Sequence, residues 1–157
     1  MRPVRPDEMP RLRQEVNRHH WLGYRSSGQV ICYVATIEAQ WVAVAVFGSA
    51  ALSCAPREAL LGWDPRLRAH RLQLIASSQR LCVLPGGRPH LASAVLAACL
   101  RRLSGDYLAR FGHRVLAVET FTDPARHAGT CRPHRWGRNS RAKPSADPSI
   151  SFSGKRR

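Results

Sequence analysis

The chain has 157 residues, 44% of them apolar, and carries a formal net charge of +15. That length is enough for one domain with a hydrophobic core, and no apolar run reaches the roughly 18–20 residues that span a bilayer. The charge excludes an acidic or neutral surface and favours a polyanionic partner such as nucleic acid; an arginine-rich surface that only meets solvent is the plainer alternative.

The charge is placed unevenly. Residues 125–157 hold nine Lys and Arg against one acid, Asp147, and the remainder holds sixteen against nine. Arg2 and Arg5 are followed by no apolar stretch, so no signal peptide is expected and a cytoplasmic location is. The five cysteines (Cys32, Cys54, Cys82, Cys99, Cys131) are odd in number and scattered. Those in apolar segments read as small buried hydrophobes of a reducing compartment. No CxxC and no Cys/His cluster of zinc spacing is present, so no metal is expected.

Residues 7–20 read as a helix, with Leu12 and Val16 four apart on its apolar face and Trp21 or Leu22 continuing that face. Gly23 stops it. Residues 30–37 and 41–47 are rich in β-branched and aromatic residues and read as two strands. The short link Glu38-Ala39-Gln40 makes them an antiparallel hairpin. Residues 56–70 read as helical, with a break at Gly62-Trp63-Asp64-Pro65. Residues 72–76 and 81–84 are strand-like, and the polar Ser77-Ser78-Gln79 between them suggests a bulge.

The centre of the domain is the unit that follows. Residues 81–84 are a short buried strand closed by Pro85, and Gly86-Gly87-Arg88-Pro89 breaks the backbone. Apolar residues then recur at Leu91, Val95, Leu96, Cys99, Leu100 and Leu103, which predicts a helix over 90–103. A strand over 115–122 completes a crossover between parallel strands. Glu119 and Asp123 are unusual acids near the carboxyl end of that apolar strand, where ligands of α/β sheets tend to bind. Asp123 before Pro124 also suits a helix cap. After Cys131 the apolar pattern dissolves, and residues 132–157 read as a disordered basic tail behind a single domain over 1–131.

Several of these segments together resemble the DruA-type proteins of the Druantia anti-phage system, whose relatives are also found beside transposase genes. The resembling segments are His19-His20-Trp21-Leu22-Gly23-Tyr24-Arg25, Phe47-Gly48-Ser49-Ala50-Ala51-Leu52 and Gly62-Trp63. They continue with the strand from Arg80 to Pro85, Leu91-Ala92-Ser93, Leu100-Arg101-Arg102-Leu103, Glu119-Thr120-Phe121-Thr122-Asp123-Pro124 and Gly129-Thr130-Cys131. The resemblance covers about residues 10–131. It departs at Ser78-Gln79-Arg80, where the family tends to show Asn-Ser-Arg, and after Cys131, where Arg132-Pro133-His134-Arg135-Trp136 replaces the family's Tyr-Arg-Ala-Ala-x-Trp. A frameshifted or decayed copy would read this way.

The order of elements is also similar to the GNAT acyltransferase fold, so the expected architecture is α+β, a mixed GNAT-like sheet flanked by helices. What the resemblances imply is a cytoplasmic defence or mobile-element protein acting on or near nucleic acid, with proteins of the same defence system or of transposition as partners. The residues expected around one cleft are Arg80, Arg88, Glu119, Asp123 and Cys131. Glu119, Asp123 and Cys131 are the catalytic candidates, and Arg80, Arg88, Arg101 and Arg102 the nucleic-acid contacts. The GNAT likeness implies a second reading, an acyl-CoA-dependent transferase whose Gly86, Gly87 and Arg88 hold the cofactor pyrophosphate; a Gly-Gly before a helix is also an ordinary turn. The third reading is an inactive remnant that only binds DNA.

Overall fold

The computed structural model describes residues 1–86 and 89–122, and the backbone of 149–154. Arg2–Pro3 form a two-residue strand, β1, that pairs antiparallel with Tyr33 and Val34. A 3-10 turn, Pro6–Glu8, leads into helix α1 (Met9–His19). Glu8 fixes this corner: it accepts from both Arg2 terminal nitrogens at 2.6 Å and from the Arg5 N–H at 3.0 Å. The hydrogen bond from Arg2, then that from Arg5, holds its carboxyl down at about 2. Leu12 and Val16 are fully buried, as the spacing requires.

Strands β2 (Ile31–Ile37) and β3 (Gln40–Ser49) form the expected hairpin. Its turn residues Glu38 and Ala39 both have positive φ, 48° and 64°, without the glycine or asparagine that usually marks such a turn. The 56–70 region is two helices, α2 (Ala55–Leu61) and α3 (Pro65–Arg71). The break falls at the expected Gly62-Trp63-Asp64-Pro65: Gly62 ends α2 in the left-handed region, and the Asp64 side chain accepts from the Leu67 N–H at 2.8 Å to cap α3.

Residues Leu72–Leu74 make a 3-10 turn, not the strand start expected from their apolar side chains. Strand β4 (Ile75–Val83) then runs unbroken through the polar Ser77-Ser78-Gln79. Phe47 pairs with Ser78 and Val46 with Arg80, so Gln79 is the extra residue of a bulge. Helix α4 (Leu91–Phe111) crosses to strand β5 (Ala117–Thr122), which is parallel to β4. Strand β6 (Ser149–Gly154) lies antiparallel to β5 at the edge of a mixed sheet ordered β1-β2-β3-β4-β5-β6. The fold is therefore α+β.

The disordered-tail reading is corrected at Ser149–Gly154, which pairs along the length of β5. The signal was the alternation Ser-Ile-Ser-Phe-Ser, period two in a basic, proline-rich context. The rest of residues 132–157 lies outside the described residues.

Each sheet face has its own core. On one, Val95, Cys99, Leu103 and Tyr107 of α4 pack with Tyr33, Ala45, Phe47, Ala76 and Val118. Leu91, Leu96 and Leu100 of the expected seam are partly buried against this cluster. On the other, Leu12 and Val16 of α1 pack with Cys32, Val34, Val44, Val46 and Cys82. Cys32, Cys54, Cys82 and Cys99 are buried free thiols. Burial raises the pKa of Cys32 and Cys82 and pushes Cys99 up to about 12. No helix among the described residues is long and apolar enough to cross a membrane.

Candidate functional site

Parallel pairing of β4 with β5 sets Ser77 opposite Glu119, and antiparallel pairing sets Gly48 opposite Ser77. Glu119 is fully buried. Its Oε1 accepts the Ala51 N–H at 2.8 Å, and its Oε2 accepts Arg57 Nη1 at 2.8 Å. Arg57 comes from α2 and is also fully buried. Its Nη2 lies 3.4 Å from Glu58, which also takes Arg68 Nη1 at 3.0 Å and the Cys54 N–H at 3.0 Å. The Cys54 N–H, then Arg68, holds the Glu58 carboxyl below the usual range. Among the described residues Arg57 Nε is buried with no hydrogen-bond partner.

The structure thus ties Glu119 to Arg57, not to Arg80. Both carboxylate oxygens are occupied by donors and neither meets solvent, so in this state Glu119 clamps the 50–54 connection and α2 to the end of β5. A role as base or ligand requires α2 to move away. Arg57 was missed because an arginine in a seven-residue helix carries no local signal of burial.

Arg80 serves a different part of the fold. The bulge directs two neighbouring side chains at the loop after α1. Arg80 Nε donates to Gly23 O at 2.7 Å; Gln79 accepts from the Ser27 N–H at 3.3 Å and donates to Ser27 Oγ at 3.1 Å. From α1, Asn17 accepts the Tyr24 N–H at 2.7 Å. Gly48 is needed beneath this loop: a Cβ there would lie 2.4 Å from Gln79 Nε2 and 2.6 Å from Ser27 O. Burial, then the nearby positive charge of Arg25, lowers the Arg80 pKa. Trp21 and Leu22, expected to extend the α1 face, are instead 52% and 50% exposed. The helix ends at His19 and a tight turn from His20 O to the Gly23 N–H lifts them away from the sheet.

The exposed charged residues of α1 and of this loop are cationic. Arg11 lies over the Trp41 ring at 4.3 Å and Arg13 over Tyr24 at 5.5 Å, and Arg18 and Arg25 are exposed. The remaining expected phosphate contacts sit on α4. Arg101 is exposed, whereas Arg102 Nε is held 2.6 Å from Asp106 and its Nη1 donates to Met1 O at 3.2 Å. Asp106 also accepts the Tyr33 hydroxyl at 2.7 Å. Burial raises the Asp106 pKa, but the hydrogen bonds from Arg102 and Tyr33 outweigh it and leave it lowered.

Gly86 is exposed in the turn before α4 with φ +83°. Gly87 and, of the five expected cleft residues, Arg88, Asp123 and Cys131 lie outside the described residues. Among the described residues no three His, Cys, Asp or Glu side chains cluster as a metal site.

The family model described as Druantia protein DruA matches residues 1–140. No curated protein and no solved structure matches the chain.

Proposed function

The chain belongs to the DruA family and is thereby associated with anti-phage defence; from that premise we propose that it acts on or near nucleic acid, through the arginines on the α1 side of the sheet. The observation that carries this reading is how the acids are used. Asp7, Glu8, Glu15, Glu58, Asp106 and Glu119 are each in ion-pair contact with an arginine or histidine of the chain itself. Among the described residues, Arg11, Arg13, Arg18 and Arg25 have no carboxylate partner. A surplus of exposed guanidinium groups standing over aromatic rings suits phosphates and bases.

The test is filter binding of the full chain to DNA and RNA over a salt series. Tight binding that weakens with a steep log–log salt slope supports the reading. Binding no tighter than that of a neutral protein at 0.1 M salt, on the order of a Debye length of 10 Å, rejects it.

A second reading is favoured by one feature of the sheet. The parallel ladder stops at Ser78↔Thr120, although β4 continues to Val83 and β5 to Thr122. Two parallel strands that part at their carboxyl ends, next to the start of α4, offer a place for an extended ligand such as acyl-CoA. A thermal shift with acetyl-CoA supports this reading if the midpoint rises with ligand concentration, and an unchanged midpoint rejects it.

A further inference from the structure

The solvent face of α1 carries more than charge. Leu12 and Val16 are fully buried and seat the helix on the sheet. Arg11, Gln14 and Arg18, at i, i+3 and i+7, share the face turned away from that seat, and all three are exposed. Among the described residues none of them has a hydrogen-bond or carboxylate partner. The Trp41 ring lies 4.3 Å from the Arg11 guanidinium and steadies its long side chain. Gln14, between the two arginines, adds a donor and an acceptor without charge.

The residue types select the partner. Arg reads the guanine edge bidentately and Gln the adenine edge, whereas phosphates alone would be met by cations alone. The flank suits a polyanion: Arg13 stands over Tyr24 at 5.5 Å, and exposed Arg25 follows in the loop. The one acid of α1, Glu15, is partly buried and lies 3.5 Å from His19 Nε2. Size agrees as well. The 11 residues of α1 make a cylinder about 16 Å long and roughly 10–12 Å across, and the major groove of B-DNA is about 12 Å wide. With two side chains buried, most of the circumference of α1 is open to such a groove.

We infer that α1 is a major-groove reader of duplex DNA, with Arg11, Gln14 and Arg18 on base edges and Arg13 and Arg25 on the flanking phosphates. This rests on the nucleic-acid reading above and narrows it. A single strand has no groove, and the deep, narrow major groove of an RNA duplex cannot be read by side chains.

The experiment starts by selecting bound sequences from a randomised DNA duplex pool with the full chain. Fluorescence anisotropy then compares the selected duplex with a scrambled duplex of the same composition, an RNA duplex of the selected sequence, and one DNA strand of it. The selected DNA duplex is expected to bind tightest. Gln14→Ala should weaken it by roughly 5- to 150-fold, the range of one bidentate base contact, and leave the scrambled duplex unchanged. A fault in folding would not confine its effect to one sequence. Arg13→Gln should weaken both DNA duplexes alike and lower the salt slope by about 0.9. The groove reader is overturned, while the nucleic-acid reading stands, by any of three results. The pool yields no enriched sequence, the RNA duplex or the single strand binds as tightly as the selected duplex, or Gln14→Ala leaves the selected duplex unaffected. If neither the pool nor any probe is bound, both readings are overturned.

Discussion

Helix α4 lays Val95, Cys99, Leu103 and Tyr107 on the sheet, each at most 4% exposed, whereas α2 and α3 together bury one residue, Arg57. Large apolar residues around α2 point outward: Leu60 is 66% exposed and Leu52, just before α2, is 81% exposed. On α4 the charges sit at the rim, where Asp106 and Arg102 are partly solvated. In the second segment a charge sits at the centre and is met by Glu119. Apolar burial is additive and tolerant of small shifts. A buried ion pair is neither: its desolvation cost is repaid only in one geometry, and it fails at once when a partner is removed. The 50–74 region should therefore come off the sheet as a unit while α4 stays.

The sharpest test is Glu119→Gln. Removing one partner of a buried pair costs about 3–5 kcal/mol, and here the loss should surface first as local opening. Hydrogen exchange should show amide protection falling across residues 50–74 and holding in α4. A uniform loss over the whole chain would break the comparison. The double variant Arg57→Met with Glu119→Leu should regain much of the protection, because no unpaired charge is left inside.

Leu103→Ala probes the other side. Leu103 is 2% exposed, and such a truncation costs about 2–5 kcal/mol with the spread set by how far the cavity collapses. The whole thermal transition should move down, with α2–α3 and α4 losing protection together. Asp106→Ala should cost less, about 1–3 kcal/mol, mostly from the Tyr33 hydroxyl left without an acceptor. Arg102 can turn to water, being partly exposed. A melting midpoint unchanged by Asp106→Ala would show that the rim charges add nothing to α4.

The contrast also explains what could be read in advance. The seam of α4, the hairpin, the bulge at Gln79 and the crossover to β5 are written as hydrophobic period, turn chemistry and polar interruption, all local signals. Arg57 is not, because its burial depends on Glu119, 62 positions away, and nothing local in Ala-Pro-Arg-Glu announces it. Trp21 misled for the opposite reason. It continues the helical period of Leu12 and Val16, but the helix ends at His19, and the side chains of Asn17, Gln79 and Arg80 decide where the loop goes. Strand β1 is two residues long and contains a proline, so no strand signal exists to find. The candidate site was legible in part: Glu119 and Arg80 were singled out, and each is bound to a partner that only the fold supplies.

Acid sharpens the comparison with the smallest effect. Glu58 has a lowered carboxyl because it accepts the Cys54 N–H and Arg68, and Asp106 a lowered one because it accepts Arg102 and Tyr33. For a depressed carboxyl the unfolded chain binds its proton first as pH falls. The stability each contributes is thus present above the ordinary carboxylate value and is lost as pH drops through the folded one. The sign is the same on both sides of the molecule, but the outcome should differ. Protonated Glu58 no longer attracts Arg68 and Arg57, and α2–α3 have little apolar contact to fall back on. Protonated Asp106 loosens Arg102, while Val95, Cys99, Leu103 and Tyr107 stay buried. Hydrogen exchange stepped downward from pH 5 should therefore show residues 50–74 losing protection ahead of α4, with Glu58→Gln bringing that early loss to neutral pH. Loss in both segments at the same pH would mean that α2–α3 are held by more than the charges around Arg57.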